Sequence, residues 1–170
     1  MEAMEYLLGL GHRRIGFISG RAELESSNRR LKGYREALEK AGIPVDESLI
    51  AAGDYTTTTG ISGARLLLGL QHPPTAIFAS NDQMAMGVYQ LAEEMGLRIP
   101  DDLSVVGFDN ITESKYMGLT TVDQFISEMG YVATQILIKL INGASLEEQT
   151  YRIQTRLVVR TSCREIVSAA

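Results

Sequence analysis

Four short, largely apolar runs, each followed by a longer stretch with apolar residues at helical spacing, constrain this chain more than any other feature. Ile15-Gly16-Phe17-Ile18 is the first, and Leu49 to Gly53, Thr75 to Ala79 and Leu103 to Phe108 follow it. Runs this short cannot make a helix, and they lack the alternation of a half-exposed strand, so they read as strands covered on both faces. The stretches between them carry Leu31, Tyr34, Leu38 and Ala41, then Ile61, Ala64 and Leu68, then Met84, Val88, Leu91 and Met95, with Gly42, Pro44 and Gly96 as stops. Strands alternating with helices of this length predict an α/β fold built on a mostly parallel, doubly wound sheet.

The flanks extend the pattern. Ala3, Met4, Leu7 and Leu8 predict an opening helix, with Gly9 and Gly11 suited to a left-handed cap. The intervals Gly33–Gly42 and Gly87–Gly96 are equal, and each is followed by Pro and then Asp, which marks two strand-helix units built alike and not a solenoid repeat. Leu119 to Val122 predicts a shorter strand. Ile126, Met129, Ala133, Ile136, Leu137 and Leu140 then make a long helical stripe ended by Asn142-Gly143, and Arg152 to Arg160 reads as extended.

Composition narrows the chemistry. With 16 basic against 21 acidic residues in 170, the net charge of −5 repels polyanions, so the chain by itself is not expected to hold nucleic acid. One cysteine, Cys163, excludes an intrachain disulfide and a multi-cysteine metal site, and two histidines, His12 and His72, exclude a His-rich one; no cofactor is expected. No apolar run reaches the roughly 20 residues of a membrane span, and the first residues lack a signal-peptide pattern, so the expectation is a cytoplasmic protein without membrane contact. Gly9-x-Gly11 lacks the third glycine of a dinucleotide fingerprint and precedes a strand; no phosphate loop or nucleophile elbow is present. His12 reads as a capping or packing residue, Cys163 as an idle thiol, and the seven methionines as core filler.

In an open parallel sheet, ligands bind beyond the carboxyl ends of the strands. Arg30 follows the first strand, Asp54-Tyr55 the second, Asn81-Asp82 the third and Asp109-Asn110 the fourth. A guanidinium, a carboxylate, an amide and an aromatic face on one rim suit a neutral, polyhydroxylated ligand such as a sugar or nucleoside. Each also has a plainer reading: Asn81 or Asp82 as a helix cap, Arg30 as a solvated charge, Tyr55 as edge packing. Asp109 resists one, because a carboxylate even partly buried at a strand end needs a partner.

The ordered segments Gly11-His12-Arg13-Arg14-Ile15, Arg30-Leu31-Lys32-Gly33-Tyr34, Pro74 to Ala79, Asn81 to Gly87, Ile99 to Asp109, Leu119 to Val122 and Leu157-Val158-Val159-Arg160 together resemble the effector-binding domain of LacI/GalR-family transcriptional regulators. The resemblance implies a periplasmic-binding-protein-like fold of two lobes, in which a sugar-like or nucleoside-like effector changes lobe closure. It implies effector contacts from Arg30, Asn81 and Asp109, a stacking role for Tyr55, and a further cleft position at Gln124. Residues 1–122 would form a nearly complete C-terminal lobe, 123–154 a segment of a mostly absent N-terminal lobe, and 155–170 the return strand and tail. A homodimer is expected, with DNA contacted only through a helix-turn-helix outside this chain. A transporter's solute-binding protein and an enzyme using Asp82 or Asp109 are the alternatives. The apolar stripe from Met129 to Leu140 is expected to pack on another copy or fold back on its own lobe, since exposure of such side chains costs about 1.5–3 kcal/mol each.

Overall fold

A computed structural model describes residues 2–143 and 150–166. Its elements in chain order are α1 (Glu2–Gly9), β1 (Ile15–Ile18), α2 (Glu25–Lys40), β2 (Ile50–Ala51), α3 (Thr57–Leu68), β3 (Ala76–Ala79), α4 (Asp82–Glu94), β4 (Ser104–Val106), α5 (Thr112–Tyr116), β5 (Thr121–Asp123), α6 (Ile126–Ile141) and β6 (Arg156–Val158). A four-stranded parallel sheet runs in the order β2-β1-β3-β4, with Phe17 beside Ile50 on one side and Phe78 on the other, and Phe78 beside Val106. β5 and β6 pair antiparallel, and β5 runs beside the end of β4 through parallel bridges Val106–Thr120 and Asp109–Asp123.

Every residue of β1, β3 and β4 is buried because helices cover both faces. Alternate side chains of each strand enter opposite cores. Ile15, Phe17, Ala76 and Phe78 join Met4, Leu7, Tyr34 and Leu38 on the α1/α2 face; Ile18, Ile77 and Ala79 join Leu67, Met84, Val88 and Leu91 on the α3/α4 face. α3 and α4 meet closely enough that a Cβ on Gly87 would lie 2.2 Å from the Thr57 carbonyl oxygen, and one on Gly60 2.2 Å from that of Met84. The Gly87–Gly96 interval therefore joins two roles, since Gly96 takes the left-handed conformation (φ +70°) that ends α4 with open space around it.

Departures from the expected elements are local. Of the segment Leu49 to Gly53, only Ile50–Ala51 is strand; Leu49 ends a 3-10 turn, Glu47–Leu49, and Ala52 and Gly53 lie beyond the strand. α5 is too short to show helical periodicity and was not expected. Gly9 remains helical, and Gly11 (φ +87°) alone supplies the left-handed turn after α1. His12 is buried, with Nδ1 against Thr75 Oγ1 at 2.8 Å and Nε2 against the Arg164 carbonyl at 3.2 Å, which is the packing role read for it. Cys163 donates to the Val105 carbonyl, and burial pushes its thiol up to about 11.

α6 departs most. None of its residues is buried, and Leu137, Ile138, Leu140 and Ile141 are all exposed, so the stripe does not fold back onto its own lobe. Among the described residues, no helix is long and apolar enough to cross a membrane, and no group of three His, Cys, Asp or Glu side chains could hold a metal ion.

Candidate functional site

Backbone conformation singles out the carboxyl rim of the sheet. Among the described residues, four non-glycine residues have positive φ, Tyr55 (75°), Asp109 (116°), Asn110 (56°) and Phe125 (53°), and all lie in connections just beyond β2, β4 or β5. Such conformations cost about 1–3 kcal/mol each and persist only where the surroundings over-determine them.

Arg30 is delivered by the second turn of α2, on the same side as Tyr34 and Leu38, which pack into the core one and two turns further along. Its guanidinium donates to the Ser80 carbonyl at 2.9 Å and, more loosely, to the Tyr55 hydroxyl at 3.5 Å. It also lies 3.9 Å from the centroid of the Phe108 ring, so the group is fixed on both a polar and an aromatic side. This is not a solvated surface charge, as only 14% of the side chain is exposed. Its distance to Asp109 Oδ1 is 4.0 Å, a loose pairing.

Asp109 stands at the end of β4, where its amide donates to the Val122 carbonyl. Gln124 Nε2 donates to its Oδ1. Burial pushes the carboxyl up from its ordinary range, against the opposing pulls of Arg30 and Gln124. Among the described residues, no hydrogen bond ends on its second oxygen, which leaves an acceptor at the rim for an incoming hydroxyl.

Asn81 takes the capping role read for it and reaches a second protein partner as well. Its Oδ1 accepts from the Met84 amide as the N-cap of α4, and its Nδ2 donates 3.0 Å to the Tyr55 carbonyl, holding that residue in its left-handed conformation. One amide hydrogen remains. The hydroxyl end of the Tyr55 ring in turn sits close against Gly20, where a Cβ would clash with it. Arg30, Tyr55, Asn81, Asp109 and Gln124 are thus brought into one continuous set of contacts. Arg30 and Gln124 also border a cavity of about 650 Å³ that continues between α1 and α2 and is walled by Phe108, Gly33 and Tyr34. Tyr55, Asn81 and Asp109 do not line it.

Two neighbours have structural tasks instead. Asp54 Oδ1 accepts from the Thr56 amide and from the Thr56 and Thr59 hydroxyls, which hold its carboxyl down at about 2 and start α3. Asp82 is fully buried, with Oδ1 accepting from Thr121 and Oδ2 from the Ile111 amide; burial nevertheless pushes it up to about 6. Sequence reasoning missed Phe108 as the ring beneath Arg30, Gly20 as the close neighbour of the Tyr55 ring, and Ser80, whose buried hydroxyl has no partner among the described residues. Only Gly20, a glycine directly beyond a strand, left a trace in the pattern.

Residues 4–163 match the family model described as periplasmic binding protein-like domain. The chain is 38% identical over 167 residues to the HTH-type transcriptional repressor CytR of Escherichia coli K12, an alignment covering 97% of this chain and 49% of that protein. A LacI family transcriptional regulator from Enterococcus faecium, solved with bound ribose, superposes with a TM-score of 0.91 at 31% identity, covering 98% of this chain and 62% of that one. The transcriptional regulator CelR in its cellobiose complex gives 0.87 at 35% identity, over 94% and 49% of the two chains. The chain belongs to the periplasmic binding protein-like domain family, in the form that serves LacI-family regulators as their effector-binding domain. It spans about half the length of the curated relatives it matches.

Proposed function

We propose that this chain binds a neutral, hydroxyl-rich small molecule, a sugar or nucleoside, and serves as the effector-sensing part of a LacI-type transcriptional repressor. The observation that carries the reading is the fixed Arg30–Asp109–Gln124 cluster at the carboxyl rim. It offers guanidinium donors and a free carboxylate oxygen beside the Phe108 and Tyr55 rings. Paired donors and acceptors next to an aromatic face match the alternating hydroxyls and C–H surfaces of a sugar. The bound ribose and cellobiose of the two superposed regulators support that class. Asp109 accepts from ligand hydroxyls, Arg30 donates, Gln124 orients Asp109, Asn81 offers its remaining amide hydrogen, and Tyr55 stacks.

In this reading residues 1–122 are one lobe and α6 belongs to a second, so a ligand shifts an equilibrium between open and closed arrangements. The uncovered apolar residues of α6 agree with a helix that packs on something beyond its own lobe. DNA recognition belongs to a separate helix-turn-helix, and the −5 charge of this chain suits a sensing role. A twofold homodimer is part of the proposal. A groove of Met86, Tyr89, Leu97, Ile99 and Met117 on the outer side of α4, with Tyr116 exposed beside it, is a surface on which two copies would meet.

The test is thermal unfolding with and without ribose, for the wild-type chain and Asp109→Ala. At a hundredfold excess over the dissociation constant, binding adds about 2.7 kcal/mol of stability to the wild type. The variant is expected to fold but to melt somewhat lower without ligand, because alanine is strained at the positive φ of residue 109, and to gain nothing with ligand; equal stabilisation of both would overturn the site.

A further inference from the structure

The left-handed pair Asp109-Asn110 is anchored from the far end of the chain. Asn110 Oδ1 accepts from Arg160 Nη2 at 2.6 Å, and its Nδ2 donates to Asp123 Oδ2 at 3.1 Å. One amide side chain therefore bridges the segment after β4, the end of β5 and the segment after β6. Arg160 is itself fixed, with Nη1 on the Leu119 carbonyl at 2.6 Å and its backbone amide on Thr120 Oγ1 at 2.9 Å. Its charge meets no carboxylate among the described residues, so these neutral oxygens are its partners.

The second arm leads to α6. Asp123 accepts from Asn110 with one oxygen and from the Phe125 amide with the other, at 2.8 Å. Phe125 is the left-handed residue from which α6 starts, and its carbonyl accepts the first amide of that helix's ladder, from Met129. Gln124, between them, points its amide back at Asp109. Gln124, which directs Asp109, thus sits inside the Asp123–Phe125 link from which α6 departs.

We propose that Asn110 and Arg160 are positioning residues that form a latch, fixing together the orientation of the Asp109 carboxylate and the angle at which α6 leaves the lobe. With the latch closed, α6 cannot swing without moving Asp123, and Asp123 cannot move without disturbing Asn110 and its neighbour Asp109. The consequence for a ligand rests on the reading of Asp109 given above; the mechanical coupling does not.

Asn110→Gly separates the latch from a simple turn role, because glycine keeps the left-handed backbone while removing both arms. Hydrogen exchange resolved by residue on the full chain is expected to quicken at least tenfold at the amides of Asp109, Phe125 and Met129, with those of β1 and β3 unchanged. Asn110→Asp, which keeps an acceptor for Arg160 but repels Asp123, is expected to quicken Phe125 and Met129 more than Asp109. Exchange in Asn110→Gly within twofold of wild type, or quickening that includes β1 and β3 equally, would overturn the latch. If ribose binds the wild-type chain, its affinity should weaken at least fivefold in Asn110→Gly; undiminished affinity would overturn the link to Asp109. Absence of ribose binding to wild type counts against the ligand reading alone, and the exchange comparison still decides the latch.

Discussion

The Thr121 hydroxyl donates 2.6 Å to Asp82 Oδ1 across the space between β5 and the first residue of α4, and the other oxygen of the same buried carboxylate holds the amide of Ile111. A strand and a connection of the rim are thereby tied to one helix N-terminus, where a carboxylate also meets the favourable end of the helix dipole. Burial outweighs both effects and raises this carboxyl from 3.8 to about 6.

That shift has a definite sign in stability. Below about pH 4 the group is protonated folded and unfolded, and contributes nothing pH-dependent. Between about 4 and 6 the unfolded chain releases the proton while the folded chain keeps it, so stability falls as pH rises, by about 3 kcal/mol in all at the usual conversion. Asp82→Asn removes this slope. We expect denaturant midpoints of the variant to gain on wild type between pH 4 and pH 6 and to run parallel above pH 7.

His12 works in the opposite direction. Burial holds its pKa below 6.5, so as pH falls below that value the unfolded chain gains a proton that the folded chain resists, and stability drops. His12→Gln, which keeps a hydrogen-bonding group near Thr75, should flatten the acid side of the profile immediately below pH 6.5.

Gly87 and Gly96 are expected to respond differently to alanine. At Gly87 the new methyl meets backbone of α3 and forces the helices apart, at a cost of about 1–3 kcal/mol or more. At Gly96 it meets open space, and only the left-handed backbone is strained, for about 1 kcal/mol. Urea unfolding of the two variants measures the difference.

Leu137→Glu with Leu140→Glu should leave the unfolding free energy of the sheet within about 0.5 kcal/mol of wild type, because neither side chain is buried. Concentration-dependent association, followed by sedimentation velocity, is expected to decrease in the same variant if the stripe is sticky in solution.

Much of the fold was legible because its signals are local. The apolar run Ile15–Ile18 and the spacing of Met84, Val88 and Leu91 each report burial within a few residues, and the structure places both in the core. α5 was illegible because five residues do not complete a periodic pattern. Within the rim, the side chains at strand ends could be found from topology alone, but what each one touches could not. Asn81 had two readings because capping and ligand contact use the same amide. Phe108 under Arg30 gave no signal, because an aromatic residue at the end of an apolar run looks like more core.

By itself the sequence determined the alternation of strands and helices, the two-sided burial of the sheet, the charge of the surface and the residues available beyond each strand. These depend on the order of polar and apolar side chains, which collapse must satisfy however the chain arrives there. The tertiary structure alone decided that Asp109 faces Gln124 and lies within reach of Arg30, that Asp82 is a buried strut, and that Arg160 returns across 50 positions to hold Asn110. Those relationships join segments distant in the chain, and only the closed sheet brings their side chains within bonding distance.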